Sequence, residues 1–226
     1  MLRGGAGVGP ETVRTMGAAL VALFVRFVFR TVDLVTLPPA LRAAYRLGWR
    51  GPSPYRPSFQ TALVARERGL SPDALTYGEA FVCVARAILR RHGVGADSVV
   101  VDLGCGRGNV LLAARSLAAR ARGVELLPDH VAVVGAALRA TGIELEVGDA
   151  RDAVVDDATH VWLSWATWDP AVRRVISHRL RSLRPGSVVV AVVWAVEGDA
   201  FEVVERTTAA FSWGFADVVV SRRSAS

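Results

Sequence analysis

From Val99 to Trp194 the chain alternates short apolar runs with helical stretches, and this alternation limits the folds that are open to it. The predicted strands are Val99–Leu103, Arg122–Leu126, Ile143–Val147, Val161–Trp165 and Val188–Trp194, and the predicted helices between them are Asn109–Ala119, Asp129–Ala140 and Ala171–Leu183. Strands that are apolar throughout and separated by helices predict a parallel α/β sheet covered on both faces. Residues 201–223 predict an antiparallel hairpin that closes this sheet.

Residues 16–37 form an apolar helical segment that is too interrupted to cross a membrane. Its uninterrupted apolar run, Met16 to Val25, has only ten residues, against the roughly 20 that a span needs. Arg26, Arg30 and Asp33 recur at helical spacing and make one polar stripe. Three charges cost about +8 kcal/mol, which exceeds the gain of about 5 to 6 kcal/mol from the apolar side chains. The helix either lies on a membrane surface or packs on the protein's own core.

Prolines mark the organisation of the rest of the chain. Pro38 and Pro39 end the first helical segment, and "RGPSPYRPSF" at residues 50–59 is a proline-punctuated linker. We expect an amphipathic helical extension over residues 1–50, a linker and covering loop over 51–79, and the α/β domain over 80–226.

Composition excludes several classes of site. The chain has 226 residues and a net charge of +6, and all 27 of its basic residues are arginine. These arginines are scattered, so no specific nucleic-acid site is expected. Cys83 and Cys105 have neither metal-ligand spacing nor a disulfide framework, so we expect no metal site and a reducing, cytoplasmic environment.

A glycine-rich turn follows the first predicted strand, in "VDLGCGRGN". Ligands of open α/β sheets bind beyond the carboxyl ends of the strands, and glycine lets the backbone approach a ligand closely. Gly104, Gly106 and Gly108 have the spacing G-x-G-x-G, whereas a dinucleotide fingerprint reads G-x-G-x-x-G. Asp102, two residues before the first glycine, suits a cation better than a pyrophosphate.

Two further acids stand at the ends of the next two strands. Glu125 can accept hydrogen bonds from both hydroxyls of a ribose, and Asp149, followed by Ala150, can bind an adenine amine. Three acids at successive strand ends suit a ligand with ribose, adenine and positive charge, and S-adenosylmethionine has all three. A nucleotide fold that binds another ligand is the alternative.

Over about residues 95–222 this pattern resembles class I S-adenosylmethionine-dependent methyltransferases. The resemblance implies an enzyme with a Rossmann-like doubly wound sheet and a C-terminal antiparallel hairpin, here with an N-terminal helical extension. It also implies that S-adenosylmethionine is the cofactor.

The triplet Tyr77-Gly78-Glu79 resembles a motif of the non-SET histone-lysine methyltransferases, the disruptor-of-telomeric-silencing group. That resemblance implies that Glu79 lies near the charged end of the cofactor, that Tyr77 lies near the transfer site, and that a protein lysine is the acceptor. Asn109 stands where that family has a cofactor-contacting glutamine.

The fourth strand departs from that family. Its two asparagines and phenylalanine are replaced by Ser164, Trp165 and Ala166, which puts the acceptor in doubt. We assign Ser164 and Trp165 to the catalytic side with Tyr77. An aromatic channel of Tyr77, Trp165 and Trp168 would favour a neutral amine by desolvation.

A second resemblance concerns the N-terminal region. Small membrane-associated protein-lysine methyltransferases also have a hydrophobic segment followed by P-Y-x-P, which "SPYRPSF" at residues 53–59 resembles. This implies contact between residues 16–37 and a membrane surface, and a cytoplasmic protein peripheral to the inner face of that membrane. A small-molecule or lipid acceptor and a catalytically silent cofactor-binding module are the alternatives.

Overall fold

The computed structural model describes residues 10–50, 54, 59–70 and 75–225. Within them, seven strands form one mixed sheet in the order β3-β2-β1-β4-β5-β7-β6. The strands are β1 Val99–Leu103, β2 Arg120–Glu125, β3 Glu144–Val147, β4 His160–Leu163, β5 Val188–Val192, β6 Phe201–Phe211 and β7 Gly214–Arg223. Strands β1 to β5 are parallel, whereas β7 is antiparallel to β5 and to β6. This confirms the predicted Rossmann-like doubly wound sheet with its closing hairpin.

Helices cover both faces of the sheet. The described helices are α1 Pro10–Thr36, α2 Pro39–Arg50, α3 Phe59–Arg68, α4 Val82–Arg91, α5 Asn109–Ser116, α6 Pro128–Ala140 and α7 Pro170–Arg179. Alternate residues of one strand enter different cores: Val100 packs with α2, α4, α5 and α6, while Val101 packs on the side of α7. Strands β4 and β5 are buried at every position, as expected for central parallel strands.

Two strands end two residues earlier than the sequence predicts. Strand β5 stops at Val192, short of the predicted Trp194, because Val193 takes a positive φ of 73° that an extended strand does not accommodate. Strand β4 stops at Leu163, short of the predicted Trp165, and the chain then turns, with the amide of Trp168 donating to the carbonyl of Trp165.

The polar stripe of α1 faces the protein. Asp33 is fully buried, and its carboxylate accepts hydrogen bonds from the Tyr45 hydroxyl at 2.7 Å and from the amides of Val82 at 3.0 Å and Cys83 at 2.6 Å. The two amides belong to the first turn of α4, where the preceding residue, Phe81, offers no capping side chain. Asp33 therefore caps α4 from another helix and places a negative charge at its positive end.

The neighbours of Asp33 remain uncharged. Burial, reinforced by Asp33, raises the pKa of Tyr45 well above its ordinary value and that of Cys83 to about 12.

No helix in the described part of the chain has the length and apolarity needed to cross a membrane. Tyr55 of the proline turn and residues 71–74, which precede the Tyr-Gly-Glu triplet, lie outside the described residues.

We predict that Asp33→Ala lowers the free energy of unfolding by about 3 kcal/mol or more, because it leaves a buried hydroxyl and two helix-terminal amides unpaired. Denaturant unfolding measures the change. The matched control is Asp97→Asn, which alters an exposed carboxylate and should change stability by no more than about 0.5 kcal/mol. A loss below about 1 kcal/mol in Asp33→Ala would show that water replaces the cap.

Candidate functional site

A cavity of about 320 Å³ opens beyond the carboxyl ends of β1 to β4, within the size range of ligand pockets. It brings together residues from six separate parts of the sequence. Its lining contains ten of the twelve predicted site residues: Tyr77, Glu79, Asp102, Gly104, Gly106, Asn109, Glu125, Asp149, Ala150 and Ser164. The other two, Gly108 and Trp165, lie outside it.

The glycine-rich turn has no room for side chains. Gly104, Gly106 and Gly108 have φ values of 77°, 54° and 81°, which residues with a side chain rarely adopt. A Cβ on Gly104 would lie 2.6 Å from the ring of Trp168, and one on Gly106 would lie 2.8 Å from that of Tyr77. At Gly108, which precedes α5, the contact would be with Leu138 of α6. This glycine therefore allows the start of α5 to pack against α6 and does not line the cavity.

Glu125 ties the end of β2 to the glycine turn. One oxygen of its buried carboxylate accepts a hydrogen bond from the amide of Gly106 at 2.7 Å, and the other accepts one from Leu127 at 2.8 Å. Each carboxylate oxygen has two lone pairs, so both keep acceptor capacity for hydroxyl groups of a ligand. The backbone contacts fix the direction in which that capacity points.

Asp102 is buried and incompletely paired. Its Oδ1 has no hydrogen-bond partner among the described residues. Burial, and secondarily the charge of Glu125, raise the pKa of Asp102 well above its ordinary value. Burial likewise raises the pKa of the neighbouring Cys105 thiol, which stays neutral. A buried carboxyl group with one unpaired oxygen at the wall of a cavity fits a cationic ligand that donates hydrogen bonds.

Asp149 is largely engaged by its own turn. Its Oδ1 accepts from the amide and Nε of Arg151 at 2.9 and 3.0 Å, and its Oδ2 accepts from Nη2 at 2.6 Å. Arg68 of α3 lies 3.7 Å away. Burial raises the pKa of Asp149, but the hydrogen bonds from Arg151 outweigh burial and hold it below the ordinary value. Only Oδ2 retains a free lone pair for a ligand.

Three parts of the chain position Glu79. Its carboxylate accepts hydrogen bonds from the Tyr77 hydroxyl at 2.9 Å and from Arg30 of α1 at 3.1 Å. Its amide donates to the Ser212 hydroxyl, and its carbonyl accepts from the Ser212 amide, both at 2.9 Å. The Tyr-Gly-Glu loop is therefore held between helix α1 and the closing hairpin.

Two of the predicted site residues make hydrogen bonds within the protein. Asn109 lines the cavity, but its side-chain amide donates to the carbonyl of Ala80 at 3.0 Å and so supports the loop. Trp165, which the sequence predicts on the catalytic side, is fully buried beneath α7, and its indole donates to the carbonyl of Trp194 at 2.8 Å. The turn after β4 directs Trp165 into the core.

The aromatic wall of the cavity comes from Trp168 and Trp213. Trp168 faces Gly104, and Trp213 stacks on Phe211 and packs so closely on Gly78 that a Cβ there would overlap its ring. Ser164 also lines the cavity, while its hydroxyl accepts a hydrogen bond from the Trp162 indole at 3.0 Å.

Sequence reasoning missed His130, Arg30 and Ser212. His130 lies in the first turn of α6, packs edge-on against Tyr77 with the ring centroids 4.6 Å apart, and places Nδ1 3.7 Å from Glu125. No motif marks these residues, because each has a partner far away in the sequence: Tyr77 for His130, and Glu79 for Arg30 and Ser212. Among the described residues, no cluster of histidine, cysteine or acidic side chains could hold a metal ion.

Residues 100–186, from within β1 to just before β5, match a family model described as a methyltransferase domain. An RNA methyltransferase from Salinibacter ruber, solved with S-adenosyl-L-homocysteine, is 25% identical, with 64% of this chain and 92% of that chain covered and a TM-score of 0.53. No curated protein sequence matches the chain significantly.

Two less similar structures share the fold. The glycopeptide N-methyltransferase MtfA is 18% identical, with 62% and 94% of the two chains covered and a TM-score of 0.50. The [4+2]-cyclase SpnF is 14% identical, with 78% and 100% covered and a TM-score of 0.54. The glycine turn, the unpaired Asp102 and the ribose-compatible Glu125 fit S-adenosylmethionine. On the fold, this site and the match of residues 100–186, the chain is an S-adenosylmethionine-dependent methyltransferase of the class I fold.

Proposed function

We propose that the protein transfers a methyl group from S-adenosylmethionine to the amine of a protein lysine. The supporting observation is the wall formed by Tyr77, Trp168 and Trp213 beside the carboxylates of Glu79 and Asp169, all of which line the cavity. Aromatic faces and carboxylates attract an ammonium group as it approaches, and the aromatic faces also exclude water around it.

Within this proposal, each acidic residue contacts a different part of the cofactor. Asp102 accepts hydrogen bonds from the cationic end, because its unpaired oxygen requires a donor. Glu125 binds the ribose hydroxyls, and Asp149 and Ala150 lie against the adenine. Glu79, fixed by Arg30, lies near the charged end of the cofactor.

The chain contributes chiefly positioning and desolvation. When bound, S-adenosylmethionine supplies an activated methyl group on a sulfonium. A lysine ammonium, with a pKa near 10.4, must lose its proton before the nitrogen can attack. Tyr77, Trp168 and Trp213 favour the neutral amine by excluding water, and they align it with the methyl group for in-line transfer. The proton leaves to solvent before attack, and S-adenosylhomocysteine is the second product.

A small-molecule or lipid acceptor is the second candidate. The Ser164-Trp165 replacement just after β4 supports it, because the residues expected on the catalytic side are a serine engaged by Trp162 and a core tryptophan. Labelled methyl groups distinguish the candidates. A protein-lysine acceptor places the label in the protein fraction of a cell extract, whereas a lipid or small-molecule acceptor places it in the organic or small-molecule fraction. Absence of transfer to either fraction, with cofactor binding intact, would indicate a silent module.

We also infer that the acceptor is met at a membrane surface through residues 16–37, with the protein peripheral to the cytoplasmic face. The exposed apolar side of α1 supports this.

We predict that Glu125→Ala weakens S-adenosylmethionine binding by about tenfold to a hundredfold, because two hydrogen bonds to a carboxylate are lost. Titration calorimetry measures the dissociation constant, and thermal unfolding verifies that the variant is folded. Glu144→Ala, which removes an exposed glutamate from β3, is the matched control and should bind as the wild type does. Equal affinity in the two variants would exclude Glu125 as a ribose ligand.

Cofactor affinity should weaken as pH falls through the raised pKa of Asp102. In the cofactor-free protein this carboxyl is protonated over a wider pH range than an ordinary aspartate, and binding a cation requires the ionised form. Below that pKa the affinity should fall by up to about tenfold per pH unit, and above it the affinity should be constant. Calorimetry across pH tests this. Asp102→Asn should bind more weakly at high pH and show a flat profile, whereas a sloped profile in the variant would assign the titration elsewhere.

We expect Trp213→Ala to reduce the rate of methyl transfer to the protein fraction of cell extract by about tenfold, roughly the worth of one aromatic contact. The dissociation constant for S-adenosylmethionine should change less than about threefold, since Trp213 is assigned to the acceptor side. The control is Phe215→Ala, an exposed aromatic of the same hairpin outside the cavity lining. If both variants lose the same activity, the hairpin matters only for structure.

A further inference from the structure

Helix α1 is oriented opposite to an ordinary surface helix. From residue 23 to the end of the helix its charged side chains point inward: Arg26 donates to the carbonyl of Ser212 at 2.6 Å, Arg30 pairs with Glu79, and Asp33 is fully buried. In a soluble protein the polar stripe of such a helix normally faces water and its apolar stripe faces the core. Here the polar groups are engaged with the α/β domain, as are Phe29, which stacks on Phe81, and Leu34. The other large apolar side chains of the described part of the helix form a broad exposed face.

The outward face of α1 contains no charged group between residues 21 and 35. Its members are between 38% and 69% exposed: Val21, Leu23, Phe24, Phe27, Val28, Val32 and Val35. Thr31, an exposed polar residue on the same side of the helix, donates its hydroxyl to the carbonyl of Phe27 at 2.8 Å, so its hydrogen bond is made within the helix. A contiguous exposed apolar surface of this kind marks an interaction site.

The width of the outward face favours a lipid interface over a second copy of the chain. At 100° per residue, the positions from Leu23 through Phe24 to Val32 span about half of the helix circumference. A two-stranded coiled coil needs only a narrow seam of alternating three- and four-residue spacing. A helix lying in the plane of a membrane buries a broad face with phenylalanine and aliphatic side chains.

The charge beside the face indicates the kind of lipid. At the C-terminal end of α1, Arg42 donates to the carbonyls of Leu37 at 2.8 Å and Val35 at 3.1 Å. Arg86 donates to the carbonyl of Thr36 at 3.0 Å, and both of these contacts with α1 are exposed. These guanidinium groups lie next to the exposed Val35, and the chain as a whole carries a net charge of +6. Anionic headgroups complement such an edge.

We propose that the outward face of α1 docks in the plane of a bilayer with anionic headgroups. This inference rests on the membrane contact included in the proposed function, and it specifies the surface, its orientation and the lipid charge. The helix lies on the membrane with its arginines and Asp33 still bound to the α/β domain, so docking requires no rearrangement of the cofactor site.

The test is cosedimentation of the full chain with vesicles of equal parts phosphatidylserine and phosphatidylcholine, beside vesicles of phosphatidylcholine alone. The wild type should bind the anionic vesicles, and Phe24→Ser with Phe27→Ser should weaken this binding by at least about tenfold, since two large apolar side chains leave the interface. The matched control is Val154→Ser with Val175→Ser, which alters exposed apolar residues away from α1. It should bind within about twofold of the wild type.

Three outcomes overturn the proposal. Equal binding by the phenylalanine variant would show that the net charge alone attracts the protein, and equal binding to neutral vesicles would remove the anionic requirement. Absence of vesicle binding, with a dimer in sedimentation velocity that the phenylalanine variant dissociates, would assign the face to a second copy. Calorimetry with S-adenosylmethionine on the same proteins separates these results from the proposed methyl transfer, because cofactor binding should be unchanged in every variant.

Discussion

One buried carboxylate determines how helix α1 is seated. Asp33 supplies the cap that α4 lacks and accepts the hydroxyl of Tyr45, so rotating α1 would leave several buried polar groups unpaired, each costing about 1 to 3 kcal/mol. With that orientation fixed, Arg30 reaches Glu79 at the cavity wall, and the apolar side of the helix is turned outward. The N-terminal helix is thus structurally part of the site.

The site combines groups that are already satisfied with one that is not. Glu79 and Glu125 are held by backbone and side-chain donors, which direct their remaining lone pairs without cost when a ligand binds. Asp102 has no such support at Oδ1. The two glutamates are therefore preorganised for a ligand, whereas Oδ1 of Asp102 still lacks the hydrogen-bond donor that a cationic ligand would supply.

The parts of the fold that the sequence predicts are those with local signals. Apolar runs locate β1, the G-x-G-x-G spacing locates the turn, and the acids at strand ends mark Glu125 and Asp149. Residues that act across the chain carry no such signal: Arg30 lies 49 positions from Glu79, and Glu79 lies 133 positions from Ser212. Trp165 lies in the core rather than in the cavity lining, because the direction of a side chain after a strand depends on a turn that the sequence pattern does not encode.

The exclusive use of arginine has a consequence for how turnover responds to pH. Guanidinium groups keep their charge across the whole range in which a lysine amine becomes neutral. The ion pair of Arg30 with Glu79 and the basic edge formed by Arg42 and Arg86 therefore persist while an amine acceptor is converted to its nucleophilic form. Surface lysines, in contrast, would lose their charge over the same pH range in which an amine acceptor loses its proton. With an amine acceptor, the alkaline limb of a rate profile would therefore contain no contribution from loss of charge on the protein's own basic surface.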